Sequence, residues 1–340
     1  MRHKKSKNIK KPVLTRREFI GISVAGGLGA YYLGLPNLYK DFKYRAETFI
    51  AKADNYSIDF SKTILSGFKE LGVMPGEIKG KHILLKPNLV ETHKGSIHIN
   101  THPMVVQGAA EAFLALGAKK VLIAEGPGHC RDSLLLVEES GLSQVLRENP
   151  IQFVDINYDD VYSTANMGKT SLMEDMVLPK TLKSVDWIVS MAKMKTHHWA
   201  GVTLSMKNMF GMMPGSYYGW PKNVLHWAGI DHSIFDINAT IKPHFAIVDG
   251  IVGMQGDGPI MGDEKKSGLL VMGRSLPSVD ATCARLMGID PYKIPHLAAA
   301  NHKLGTINKT FIQQRGEKLS SLRSNFALVD KIPAHHGLRL

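Results

Sequence analysis

The sequence predicts an α/β protein with a mostly parallel sheet, flanking helices, and a site at the carboxyl ends of the strands. Three observations predict it. Short apolar runs alternate with helical periodicity between residues 81 and 156. The same alternation resumes between residues 230 and 300. Several of the apolar runs lead directly into an ionisable side chain. A strand–helix–strand rhythm belongs to parallel strands joined by right-handed crossovers. Ligands of open parallel sheets sit outside the carboxyl ends of the strands.

The elements follow in order. Residues 37–80 read as a helical linker region, with a mixed amphipathic stretch from Phe42 to Ala53 and a second from Ser61 to Leu71, stopped at Gly72. Lys81 to Leu85 is a short strand running into Lys86-Pro87-Asn88. Pro87 has no amide proton to donate to a ladder, so the strand ends there. Thr101 and Pro103 suit a cap and first turn, and the alanine-rich run Val105 to Leu116 is a helix closed by Gly117. Lys120 to Ala124 is a strand entering Glu125-Gly126-Pro127-Gly128. A helix over Asp132 to Leu146 and a strand over Gln152 to Ile156 complete this half.

The buried-strand run Trp187 to Ala192 delivers Lys193, Lys195, Thr196, His197 and His198, and Lys207-Asn208 follows about ten residues later. Ile230 to Ile241 reads as helix, His244 to Val248 as a strand ending in Asp249-Gly250, and Leu269 to Met272 as another strand. Ser278 to Met287 and Pro291 to Ala300 read as helices, and Thr310 to Ile312 as a short strand. The chain thus divides into a signal or anchor over 1–36, the linker region over 37–80, an α/β domain over 81–300 and a C-terminal extension over 301–340.

The formal net charge of +12 is mainly a property of the amino terminus. Residues 1–17 hold eight lysines and arginines and no acid, which leaves +4 for the rest. Such a tail suits targeting or membrane-surface contact, and the body carries no basic stripe of a nucleic-acid binder. Arg16-Arg17 precedes the glycine-diluted apolar run Ile22 to Leu35. This arrangement resembles a twin-arginine signal. It implies export by that machinery to a periplasmic or other extracytoplasmic place, with membrane contact only through the N-terminal segment. No clean cleavage site follows, so an uncleaved anchor stays open. The two cysteines, Cys130 and Cys283, are too few for an iron–sulfur cluster and read best as small buried hydrophobes, with pairing after export the alternative.

The side chains leaving the predicted strands are Lys86 with Asn88, Glu125, Lys193 with Lys195 and His197, and Asp249. Lysines beside carboxylates point to an anionic small molecule held by charge, with a group on hand for proton transfer. Lys195, His197 and Asp249 are the candidate catalytic groups. Lys86, Asn88, Glu125, Lys193, Lys207, Asn208, Gly256 and Asp257 are the candidate ligand-binding groups, the glycine-rich stretch Gly250 to Gly258 letting backbone amides approach a ligand. The alternative is that the lysines form ordinary salt bridges at a solvated sheet edge. His98, His102, His197, His198, His226 and His232 invite a metal, but no HxxxH helical pair is present and no metal set is assigned. Trp199, Trp220 and Trp227 flank the basic loop as a lid, a stacking surface or plain packing. No cofactor is assigned.

Lys86-Pro87-Asn88, Thr101-His102-Pro103, Glu125-Gly126, Lys193 to His197, Leu204 through Lys207-Asn208 with Gly211, and Asp249-Gly250 with Gly256-Asp257-Gly258-Pro259 together resemble the DUF362 family over roughly residues 80–300. The resemblance implies no agreed activity. Some members carry a cysteine insertion that binds 4Fe–4S clusters; this chain lacks those cysteines, so their redox role is not carried over. The expectation is an exported protein that binds an anion and transfers a proton or group on it. Its rival is a non-catalytic metal- or cofactor-binding maturation factor for a periplasmic redox partner.

Overall fold

A computed structural model describes residues 43–92, 95–129, 132–149 and 151–340. The expected signal over 1–36 and Cys130 lie outside the described residues. Tyr44–Leu340 forms one compact unit.

Its frame is one sheet built of β1 (Ala46–Lys52), β2 (His82–Pro87), β3 (Lys120–Glu125), β4 (Gln152–Asp155), β7 (Trp187–His197), β8 (Gly201–Thr203), β9 (Phe245–Gln255), β10 (Asp263–Gly273) and β11 (Ile312–Gly316). The strand order is β11-β1-β10-β9-β7-β2-β3-β4, with the short β8 beside β7. β9, β7, β2, β3 and β4 are mutually parallel, and only β10 and β8 pair antiparallel to their neighbours. β5 (Val161–Ala165) and β6 (Asp175–Pro179) make a separate antiparallel pair.

Both sheet faces are covered, which is why the central strands read as unbroken apolar runs. On one face Ile83, Leu85, Val189, Met191 and Ile247 pack under α1 (Phe60–Glu70), α2 (Pro103–Ala115), α3 (Ser133–Glu139) and α4 (Leu142–Glu148). On the other, Leu84, Ala192, Met194 and Val248 pack under α5 (Ser205–Asn208), α7 (Ile230–Ile241), α8 (Leu276–Leu286) and α9 (Pro295–Ala300). Between α5 and α7 runs the short helix α6 (Asn223–Trp227). Among the described residues no helix is long and apolar enough to cross a membrane.

Several elements differ from the sequence expectation: β9 runs past Val248 to Gln255, β10 begins at Asp263 and not Leu269, and Thr310-Phe311 is a 3-10 turn with the strand starting at Ile312. The stretch expected to be helical around Phe42–Ala53 supplies β1, because Thr48, Phe49, Ile50 and Ala51 bury both faces against β10 and β11. The helix expected over Asp132–Leu146 breaks at Gly141, whose φ of 78° is left-handed, into α3 and α4. The region taken as the helix Pro291–Ala300 divides into a 3-10 turn and α9. Most consequential, β7 does not stop at Ala192 but runs eleven residues to His197, all buried. Lys193 and Lys195 are therefore strand residues, not loop residues.

Candidate functional site

The chain places β3 and β4 to one side of β2 and then returns to lay β7 and β9 on the other. The carboxyl ends of β2 and β7 thus flank the point where strand order reverses, where open α/β sheets bind ligands. A cavity opens there, about 670 Å³ including its mouth.

Its floor is a closed polar network. Lys86, at the end of β2, donates through Nζ to Glu125 Oε2 at 2.7 Å and to Asn208 Oδ1 at 2.8 Å. Glu125 also accepts from the amides of Leu89 and Gly126. Asn208 Nδ2 donates to Lys86 O and Ser190 Oγ, both at 3.0 Å. Burial pulls the Lys86 ammonium below its ordinary range, and the Glu125 charge opposes the shift. Gly211 covers this pair so closely that a Cβ there would lie 2.0 Å from Glu125 Oε1 and 2.5 Å from Lys86 Nζ.

The short helix α5 brings Lys207 and Asn208 to the floor. Its start is held by Asp280 of α8, which accepts from Ser205 N at 2.7 Å, Ser205 Oγ at 2.5 Å and Met206 N at 2.9 Å. Burial pushes this carboxyl up to about 6, with the Ser205 and Met206 donors pulling the other way. Lys207 sits with Nζ 3.9 Å from the centroid of the Phe210 ring. Among the described residues no carboxylate lies within ion-pair reach of it. Burial first, then the Lys86 charge, depress it to about 7.

Cavity groups that escaped the sequence reading include Lys222, His129 and Thr203. Lys222, buried and left-handed at φ 69°, donates through Nζ to the carbonyls of Gly126, Phe210 and Met213. It pins the loops around the cavity, and burial holds it at about 7. It lies in the turn after Trp220-Pro221, where no periodicity marks it.

Two of the imidazoles lining the cavity are in complementary states. His197 Nδ1 accepts from the amides of Trp199 at 3.0 Å and Ala200 at 3.3 Å, so Nε2 carries the proton. Burial and then the Lys207 charge keep His197 far below the usual histidine range. His226 Nδ1 donates to Lys222 O at 3.0 Å, which leaves Nε2 as an acceptor, and burial lowers its pKa to about 4. Two buried oxygens of residues that line the cavity, Asn88 Oδ1 and Thr203 Oγ1, have no hydrogen-bond partner among the described residues.

The predicted site residues thus separate. Lys86, Asn88, Glu125, His197, Lys207 and Asn208 line one cavity. Lys193 and Asp249 do not reach it. Lys86 is in register with Ser190, so it shares the sheet face of Ala192 and Met194, whereas Lys193 faces the other side. There Lys193 Nζ meets Asp249 Oδ2 at 2.8 Å and Tyr56 Oη at 2.8 Å, and Tyr56 donates to Asp249 Oδ1 at 3.0 Å. The His102 ring stacks on Tyr56 at 3.7 Å, and the His102 amide donates to Asp249 Oδ2. Lys195 Nζ donates to Ile99 O and Pro259 O, tying two loops together. Gly256 accepts from Thr196 Oγ1, and Asp257 lies 3.3 Å from His198 at the surface. Gly250 and Gly253 lie inside β9, where a Cβ would meet Leu269 or the Met194 carbonyl, so close packing explains them. Among the described residues no group of three or more His, Cys, Asp or Glu is placed to hold a metal. Cys283 is a buried thiol.

Fold and cavity together define a mostly parallel α/β protein with a cation-lined pocket at its topological switch. The chain belongs to the DUF362 family, described as a domain of unknown function, whose model matches residues 83–285. It is 29% identical over 240 residues to a thylakoid-associated protein of Synechocystis sp., covering 67% of this chain and 70% of that one. Among solved structures it resembles a Thermotoga maritima protein, at 12% identity and TM-score 0.39, with 69% of this chain and 60% of that chain covered. It also resembles the lactate racemase apoprotein of Thermoanaerobacterium thermosaccharolyticum, at 11% identity and TM-score 0.43, with 73% and 58% covered. The chain spans about three-fifths of each of these solved chains.

Proposed function

We propose that the cavity at the β2/β7 edge binds an anionic small molecule or cofactor and transfers a proton or group on it. One observation carries the reading: Lys207 lines the cavity with no carboxylate in ion-pair reach among the described residues. Lys86 already donates to Glu125 and Asn208, and Lys222 to three carbonyls, so their charges raise the local potential, while Lys207, with no carboxylate in reach among the described residues, is the cation most open to a ligand. Asn88 Oδ1 and Thr203 Oγ1 supply unspent polar atoms beside it. His197 donates a hydrogen bond from Nε2–H to orient the ligand, and the free Nε2 of His226 is the group that can accept a proton from it. Lys193 and Asp249, on the far face, hold the fold in this reading.

The test is native mass spectrometry for a co-purifying ligand, followed by calorimetric titration with sulfate, phosphate and small carboxylates. At least one anion should bind the wild type and bind Lys207→Met at least about tenfold more weakly, the scale of a lost charge-assisted hydrogen bond. Binding of none of them, or equal binding by the variant, overturns the reading.

Export by the twin-arginine machinery is proposed on Arg16-Arg17 and the glycine-diluted run behind them. The thylakoid association of the Synechocystis relative supports a membrane-linked location. Replacing both arginines by lysine should retain the protein in the cytoplasm, measured by cell fractionation; unchanged export removes the proposal.

A further inference from the structure

We infer that the anion bound in this cavity carries a planar aromatic ring, as a nucleoside monophosphate does, and that Trp199 is the platform on which the ring stacks. The inference rests on the anion-binding reading above and extends it to a substrate class.

Trp199 follows β7 directly and lines the same cavity as Lys207. Two imidazoles meet its ring at steep angles and restrain it, His198 at 4.7 Å and 77° and His226 at 5.0 Å and 70°. Yet Trp199 remains 55% exposed. A rigid indole left uncovered at the mouth of a polar cavity offers a π-face, and base-on-aromatic stacking needs only that face.

The cavity is open to solvent, so the ring of a ligand anchored inside can lie at the mouth beside Trp199. Lys207 anchors the charged end, and Trp199, with Phe210 and His226 beside it, forms an aromatic wall. His197, Asn88 and His226 line the same cavity, and the donor His197 Nε2 and the acceptors Asn88 Oδ1 and His226 Nε2 are partners for sugar hydroxyls or a base edge.

The experiment compares AMP with ribose 5-phosphate, which share the phosphate and differ in the ring. Full-length protein is titrated calorimetrically with each. Wild type should bind AMP roughly 5- to 150-fold more tightly than ribose 5-phosphate, the range expected for one base stacked on one aromatic side chain. In Trp199→Ala the ratio should collapse toward unity, and Trp199→Phe should restore part of it. AMP should also quench tryptophan emission in the wild type and lose that quenching in Trp199→Ala. Trp227→Ala is the control, since Trp227 is 79% exposed and lies outside the cavity lining. If ribose 5-phosphate binds as well as AMP, or Trp199→Ala keeps the discrimination, the stacking inference is overturned while anion binding stands. If neither compound binds nor does any simple anion, both readings fall together.

Discussion

Lys207 should make anion binding proton-linked. Burial and the neighbouring Lys86 hold its ammonium at about 7, so near neutrality the free protein is divided between charged and neutral forms. Only the charged form attracts an anion. A charge-assisted contact stabilises it by about 1.5–3 kcal/mol, which at about 1.4 kcal/mol per unit raises the bound-state pKa by about one to two units. The sign follows. Below about pH 7 the ammonium is already present and affinity is flat with respect to this group. Above it each binding event must take up a proton, so affinity falls by up to about tenfold per pH unit until about pH 8 to 9. Sulfate is a suitable probe because it does not titrate in this range. Calorimetry in two buffers of different ionisation enthalpy measures the proton uptake directly. Lys207→Met should cut the uptake to the remainder contributed by Lys222, also held at about 7, and weaken binding by roughly 10- to 150-fold. A wild-type affinity independent of pH from 6 to 9, or an identical slope in the variant, refutes the assignment of Lys207 as the anchor.

Three further outcomes follow from the geometry. Asp280 is raised to about 6 in the fold from an ordinary value near 3.8, so it contributes stability below about pH 4 that is lost as pH rises through 6. Urea denaturation between pH 4.5 and 7 should show this dependence vanish in Asp280→Asn, while Asp280→Ala should cost about 2–4 kcal/mol and loosen anion binding by releasing α5; a stable Asp280→Ala with intact binding contradicts the positioning role. Lys193→Met leaves Asp249 buried without its cation and should destabilise by about 3–5 kcal/mol, with sulfate affinity unchanged in the folded protein. A selective loss of binding there would move the site to the other face. Gly211→Ala should lower Tm and binding together, because its Cβ forces Glu125 and Lys86 apart; an unperturbed variant would mean that the pair has room to move.

The sheet was legible because each central strand is a short run apolar on both faces, bounded by proline, glycine or charge, and each crossover helix has its own period and stop. The cluster of cations near its carboxyl edge was legible for the same local reason. Six of the eleven proposed site residues meet in the cavity, and their motifs lie at strand ends or on α5. Which lysines share a hollow was not legible. That depends on register between strands, because side chains alternate across a sheet and a shift of one residue exchanges the faces. Lys86 aligns with Ser190, so Lys193 is sent to the opposite side, where it meets Tyr56 from the segment that read as a linker. Lys222 and its left-handed turn carry no pattern at all; only the packing of three loops onto one ammonium reveals it. The sequence by itself determined the layered α/β architecture and its charged edge, since both follow from local periodicity. The tertiary structure alone decided which charges pair with each other and that Lys207 lines the cavity with no carboxylate in reach among the described residues, since ion pairing depends on distances between residues far apart in the chain.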